Sequence, residues 1–259
     1  MKRLVLFFTC AWTAISSFAQ TENWNDSVQT YIGQARMLDA DAYMKLADCY
    51  HKGLGVEHNF TMMMEMLAYA DRYADGRRRS LDYIFSLPEN DVDLLTWDTG
   101  AFLSNGAIGK AKASIERLSV ISPQTAKVFQ AILAFKENKD TIGFYRLINE
   151  SVSEGCLPAS IVLATRLDAD GKIDDAARIM EGIAEHTPMA YNYLGKYYKA
   201  KGDMQKSIEC YRKADQWACL NSEGAEMLLE EMNRQEEEGL KHNKYEENRL
   251  RLIRDGIGG

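Results

Sequence analysis

Four histidines, His51, His58, His186 and His242, are the first residues to ask for chemistry, because imidazole is the commonest metal ligand and acid–base group near neutral pH. No two of them stand four residues apart with a carboxylate between, the spacing that builds a zinc site on one helix face. They read as surface histidines, and the sequence predicts neither a metal nor any other cofactor. Gly106-Ala-Ile-Gly109-Lys110-Ala111 has a superficial likeness to a phosphate loop, but it lacks the four-residue gap between glycines and the Ser or Thr after lysine. No Gly-x-Ser-x-Gly elbow occurs, and no cysteine has a histidine placed by the helical register to activate it. The carboxylate pairs Asp174-Asp175 and Glu230-Glu231 fall on helix starts and outer faces, where the helix dipole and solvent account for them. These patterns point away from an enzyme.

What remains is surface. Asn192, Lys196 and Lys199 share one helix stripe, and two cations beside an amide can hold a peptide carboxylate. The competing reading makes them solvated charges on an exposed face. Tyr193 and Tyr197 flank the stripe and are available to a partner, whereas Tyr191, Tyr198 and Tyr211 are read as packing residues. Cys210 and Cys219 are the closest cysteines in sequence, and a disulfide there would tie a helix end to the segment after it. Against this stands the reading of each cysteine as a small buried apolar residue.

The elements that position these residues are helices. From residue 25 onward apolar residues recur at helical spacing with no sustained alternation of the strand type, and four prolines in 259 residues disfavour a turn-rich β-sandwich. At 46% hydrophobic and 27% charged the chain is an ordinary folded protein, long enough for one large domain or two small ones. Its acidic excess, 38 against 31, has no basic counter-patch, and Arg77-Arg78-Arg79 is too short for one, so nucleic acid is not an expected partner.

The first residues read as an address. Lys2 and Arg3 precede the apolar run from Leu4 to Phe18, and Ser17-Phe18-Ala19 sets small residues at minus three and minus one of a cut before Gln20. The run is short of the roughly 20 residues of a membrane span, so residues 1–19 are expected to be a cleaved signal peptide, leaving no span behind. Of 31 basic residues, Lys2 and Arg3 go with it, which leaves 29 against 38 acidic residues and a net charge of −9. The product is exported, to a periplasm or outside the cell.

Within the helical region a unit repeats. Ala42, Leu46, Ala47 and Tyr50 match Ala159, Leu163, Ala164 and Leu167, and again Ala190, Leu194, Gly195 and Tyr198, at offsets of zero, four, five and eight. Those offsets share one helix face, and the small residue at offset five lets a second helix approach closely. Gly171 and Gly202 end two of these helices, Asp174 or Asp203 can cap the next, and Ala176, Met180 and Ile183 match Ser207, Tyr211 and Ala214 on the second helix. The unit is a helical hairpin, and its last two copies stand 31 residues apart.

Ala42-Tyr-Met-Lys-Leu46-Ala-Asp-Cys-Tyr50-His-Lys-Gly53-Leu-Gly55-Val56, followed by Met64, Leu67 and Ala70, resembles a Sel1-like repeat. Pro188 to Cys219 resembles a tetratricopeptide repeat, with Tyr191 in place of the usual Trp and Ser207 in place of the usual Ala. Both families are α-solenoids. The resemblance implies an all-α, right-handed solenoid of five or six hairpins across residues 20–219, with 77–122 as degenerate repeats and 220–259 as a charged capping helix and a tail that frays. It implies a non-enzymatic scaffold whose concave face, with Ile161, Thr165 and Asp168 beside the Asn192 stripe, binds a protein or peptide. Some cysteine-rich Sel1 proteins have been described as acting on β-lactams, which makes a cell-wall or β-lactam-type hydrolase the alternative. Cys49, however, has no partner in its own unit, and residues 159–187 contain no cysteine. A structural subunit of an envelope complex is the third reading.

Overall fold

A computed structural model describes residues 25–74, 78–237 and 243–256. The expected signal peptide lies outside the described residues, as does His242. Among them are fourteen helices and no strand: α1 (residues 25–36), α2 (Ala40–Lys52), α3 (Phe60–Tyr73), α4 (Arg79–Ser86), α5 (Val92–Ser104), α6 (Ile108–Ile121), α7 (Pro123–Asn138), α8 (Thr141–Ser153), α9 (Leu157–Ala169), α10 (Ile173–Ile183), α11 (Ala190–Ala200), α12 (Met204–Gln216), α13 (Ser222–Glu237) and α14 (Lys244–Asp255). Consecutive helices pack on one another, and α2/α3, α5/α6, α7/α8, α9/α10, α11/α12 and α13/α14 are antiparallel hairpins stacked as a helical solenoid. The short α4 stands between the first hairpin and the second, in the stretch whose repeat pattern is weakest.

All the aligned positions but one are the core, the exception being the half-buried Tyr198, whose hydroxyl donates to Glu181. Ala42, Leu46, Ala47 and Tyr50 are buried, as are Ala159, Leu163, Ala164 and Leu167, and Ala190, Leu194 and Gly195. The close approach that Gly195 permits is occupied by the fully buried ring of Tyr211, and Gly224 of α13 backs the same ring. Ser207 Oγ donates to the Gly195 carbonyl at 2.8 Å, so the Ser at the usual Ala position also ties α12 to α11.

Turn chemistry explains the hairpin ends. Gly171 and Gly202 take φ of +76° and +79°, the left-handed region in which a side chain is strained. Asp203 caps α12 by accepting from Lys206 N at 3.1 Å. Asp174 does not cap α10: it lies in the first turn, and its carboxylate instead receives the Tyr197 hydroxyl and the Lys201 ammonium.

The stack curls until the first hairpin meets the last. Tyr43 Oη donates to the Ala218 carbonyl at 3.2 Å and Tyr69 Oη to that of Cys219 at 2.9 Å, while Ala218 and Cys219 share the apolar core of α1, α2 and α3. Arg36 reaches Asp215 at 2.8 Å from one side, and Arg249 grips the same carboxylate with two hydrogen bonds of 2.8 and 2.9 Å from the other. Arg72 donates to the Ile253 carbonyl. The C-terminal segment, expected to fray, is α14, with Arg249, Leu250 and Ile253 buried against this seam.

Candidate functional site

The stripe expected to bind a partner is only partly free. Asn192 is spent inside the protein, its Nδ2 donating to the Cys219 carbonyl at 2.6 Å and its Oδ1 accepting from Asn221 N at 3.2 Å, so it fixes the α12–α13 turn. Tyr193 Oη donates to Asp168 at 2.9 Å and Tyr197 Oη to Asp174 at 3.0 Å, contacts that join α11 to the preceding hairpin. These carboxylates push both phenol pKa values above the ordinary range, with burial leading for Tyr193 and the hydrogen bond leading for Tyr197. Lys196 is exposed and Lys199 half-buried, and among the described residues no carboxylate lies within ion-pair distance of either. Of the five residues, the two lysines keep their polar ends unspent.

Cys49, Cys156, Cys210 and Cys219 are free thiols, so no disulfide joins Cys210 to Cys219 in this structure. The sulfur of Cys219 is buried and donates to the Trp217 carbonyl at 3.3 Å, while Cys210 sits half-buried on the neighbouring helix. Burial pushes the Cys210 thiol up to about 11, well above the range of a reactive thiolate.

The structure brings together a constellation that sequence spacing did not. The α2–α3 turn begins at Gly53, whose φ of +66° ends α2, and it is stitched closed by Asn59 N donating to the Tyr50 carbonyl at 3.0 Å. That stitch sets His51 and His58, seven residues apart, on one side of the turn. Both face Asp93, in the first turn of α5, whose side chain is 1% exposed. His51 Nδ1 lies 2.7 Å from Asp93 Oδ2, and His58 Nε2 lies 3.0 and 3.1 Å from the two oxygens. Asp91 caps α5 by accepting from Asp93 N at 2.9 Å, and its other oxygen stands 3.5 Å from His51 Nε2. The edge of the His51 ring is met by Tyr83, 6.1 Å away between centroids. The hydrogen bond to Asp93 raises the His58 pKa above the ordinary imidazole value, against the opposing effect of burial.

Two cavities meet at His58. One, of about 360 Å³, runs from His58 and Asp93 past Thr96 to Thr125 and Cys156 at the starts of α7 and α9. The other, of about 640 Å³, lies between the α2–α3 turn, Glu185 and His186 of the α10–α11 connection, and Trp217. Asn59 separates them, its Nδ2 donating to the His186 carbonyl at 3.0 Å. The signals that mark this region in sequence are local ones, Gly53-x-Gly55 between two histidines and the Asp91-x-Asp93 cap; nothing in spacing joins them across 35 residues. No known family model matches the chain, and no curated protein matches it. Among the described residues no helix is long and apolar enough to cross a membrane.

Proposed function

We propose that this chain is a non-enzymatic scaffold of the Sel1-like or tetratricopeptide-like kind, exported to a periplasm or beyond the cell, that binds a protein or peptide partner. The observation that supports it best is the pair of unspent ammonium groups on α11. Lys201, Lys206 and Lys213, close by, all have carboxylate partners, whereas Lys196 and Lys199 have none among the described residues. In a chain whose net charge is −9 once residues 1–19 are removed, two adjacent unpaired cations suit an acidic segment or a terminal carboxylate. The contacts of Tyr193 and Tyr197 hold the helix rigidly behind them, which lowers the ordering cost of binding.

The test is affinity capture from cross-linked cells of the producing organism, with a tagged full-length precursor and its Lys196→Glu/Lys199→Glu variant side by side. The reading predicts a reproducible partner whose recovery falls with the charge reversal while the circular dichroism spectrum stays the same. Equal recovery by both proteins would remove the stripe from the interface, and capture of no partner would remove the scaffold reading itself.

A further inference from the structure

We propose that His51, His58 and Asp93 form a binding site for a divalent d-block cation, zinc above all, that clamps the α2–α3 turn to the start of α5. The site is distinct from the lysine stripe of α11 and does not depend on it. The three side chains each offer one ligand atom, and these atoms all lie within 4.8 Å of one another. Tetrahedral coordination at about 2.0–2.1 Å from nitrogen and oxygen spaces ligand atoms about 3.3 Å apart. The His–Asp separations of 2.7 to 3.1 Å are already near that value, so a cation enters by replacing the shared protons and drawing the two imidazoles together.

Charge argues the same way. Asp93 is a buried carboxylate, Asp91 adds a second negative charge beside it, and among the described residues neither has a lysine or arginine within ion-pair distance. A buried carboxylate faced only by imidazoles lacks the fixed positive charge that usually accompanies it, and a bound cation supplies one. Two imidazoles with one carboxylate is also the donor set that favours zinc and its d-block neighbours over calcium or magnesium.

The surroundings are those of a metal ligand set. Asp91 Oδ2 stands 3.5 Å from His51 Nε2, on the far side of the ring from Asp93, and is placed to orient the imidazole from behind once a metal replaces the proton shared between Nδ1 and Asp93. Asp91 is itself held by its cap bonds to Asp93 N and Leu94 N. Protein supplies three ligands, and the fourth position faces the cavity beside Thr96 and Cys156, where water completes the shell.

Cobalt(II), which reports its geometry in the visible, is titrated into the full chain after dialysis against a chelator, and zinc is then added in competition with a chromophoric chelator. The proposal predicts one equivalent of cobalt with the intense visible bands of four-coordination, displaced by zinc, together with a zinc-dependent rise in melting temperature. His58 is half exposed, so His58→Ala is expected to keep the fold while weakening zinc by more than the about 10–100-fold that loss of an outer-shell partner costs. Asp93→Asn, checked by circular dichroism, should do the same. Absence of saturable binding, undiminished affinity in His58→Ala, or near-ultraviolet thiolate charge-transfer bands that place the metal on cysteine would each overturn the proposal.

Discussion

Replacing Gly195 by Ala tests the packing that joins the last two hairpins. A methyl group there would sit 2.6 Å from Tyr211 Cε1 and Cζ and 2.8 Å from Cδ1, closer than carbon atoms approach. The ring cannot retreat, because a Cβ built on Gly224 lies 2.5 Å from Tyr211 Cδ1 on the α13 side and the side chain is fully buried. Overpacking of this kind costs about 1–3 kcal/mol. Against it stands the helix-propensity gain of Ala over Gly, about 1 kcal/mol in a helix interior. Gly100 separates the two effects, since it lies within α5 and a Cβ there meets nothing within 4 Å. Gly100→Ala should therefore be neutral to stabilising, and Gly195→Ala should fall below it by the steric cost alone, about 1–3 kcal/mol. For a chain of this size that difference corresponds to about 2–4 °C in melting temperature per kcal/mol, read by thermal denaturation of both variants beside the parent. Gly195→Leu should be worse than Gly195→Ala. If Gly195→Ala is as stable as Gly100→Ala, the hairpin register and the role of Tyr211 between two glycines are both wrong.

Two further outcomes follow from the seam. Arg249→Ala strands the buried Asp215 carboxylate with only Arg36, and loss of one partner of a buried pair costs about 3–5 kcal/mol, to be measured by urea denaturation; a change below about 1 kcal/mol would mean that the seam is solvated. Glu65, on α3 beneath it, has its pKa raised by burial, with the Tyr69 hydroxyl opposing. A raised carboxyl pKa favours the protonated native state, so the stability linked to Glu65 is present below its unfolded pKa and lost as pH rises through the folded one. Glu65→Gln should thus raise the melting temperature at pH 7, with the advantage shrinking toward pH 4; a benefit independent of pH would contradict the assignment.

The hairpins were legible because their signal is local and repeated. Ala47, Ala164 and Gly195 mark where helices cross, and Gly171 and Gly202 mark where they turn, each within one unit of about 31 residues. Contacts between distant units leave no such trace. Asp215 carries no mark in the sequence, and only its place between Arg36 and Arg249 explains its burial. Asn192 falls on the face assigned to a partner, yet the returning α12–α13 turn claims its amide. The tyrosines were divided by family position, but Tyr193 and Tyr197 show how a half-exposed ring can spend its hydroxyl on the neighbouring hairpin. His51, His58 and Asp93 were missed because a helix-face spacing rule cannot see side chains brought together from the end of α2, the turn after it and the first turn of α5. α4 adds one helix to the pairing sequence, so no register carried forward from the first unit predicts where α5 begins.

The seam between α2/α3 and the α12–α13 turn also changes how the molecule comes apart. An open stack of hairpins melts from its termini, where each outermost unit has one neighbour instead of two. Here the terminal units are each other's neighbours, joined by hydrogen bonds that bridge 175 residues between Tyr43 and Ala218 and 150 between Tyr69 and Cys219. Trimming hairpins from either end therefore does not yield a shorter stable array: loss of the C-terminal hairpins uncovers Tyr43 and Tyr69, and loss of α1–α3 uncovers the buried arginine of α14. Amide exchange should accordingly be slow in both α2–α3 and α13–α14 and be lost from them together, with the weakest protection among the described helices at α4, which no hairpin partner covers.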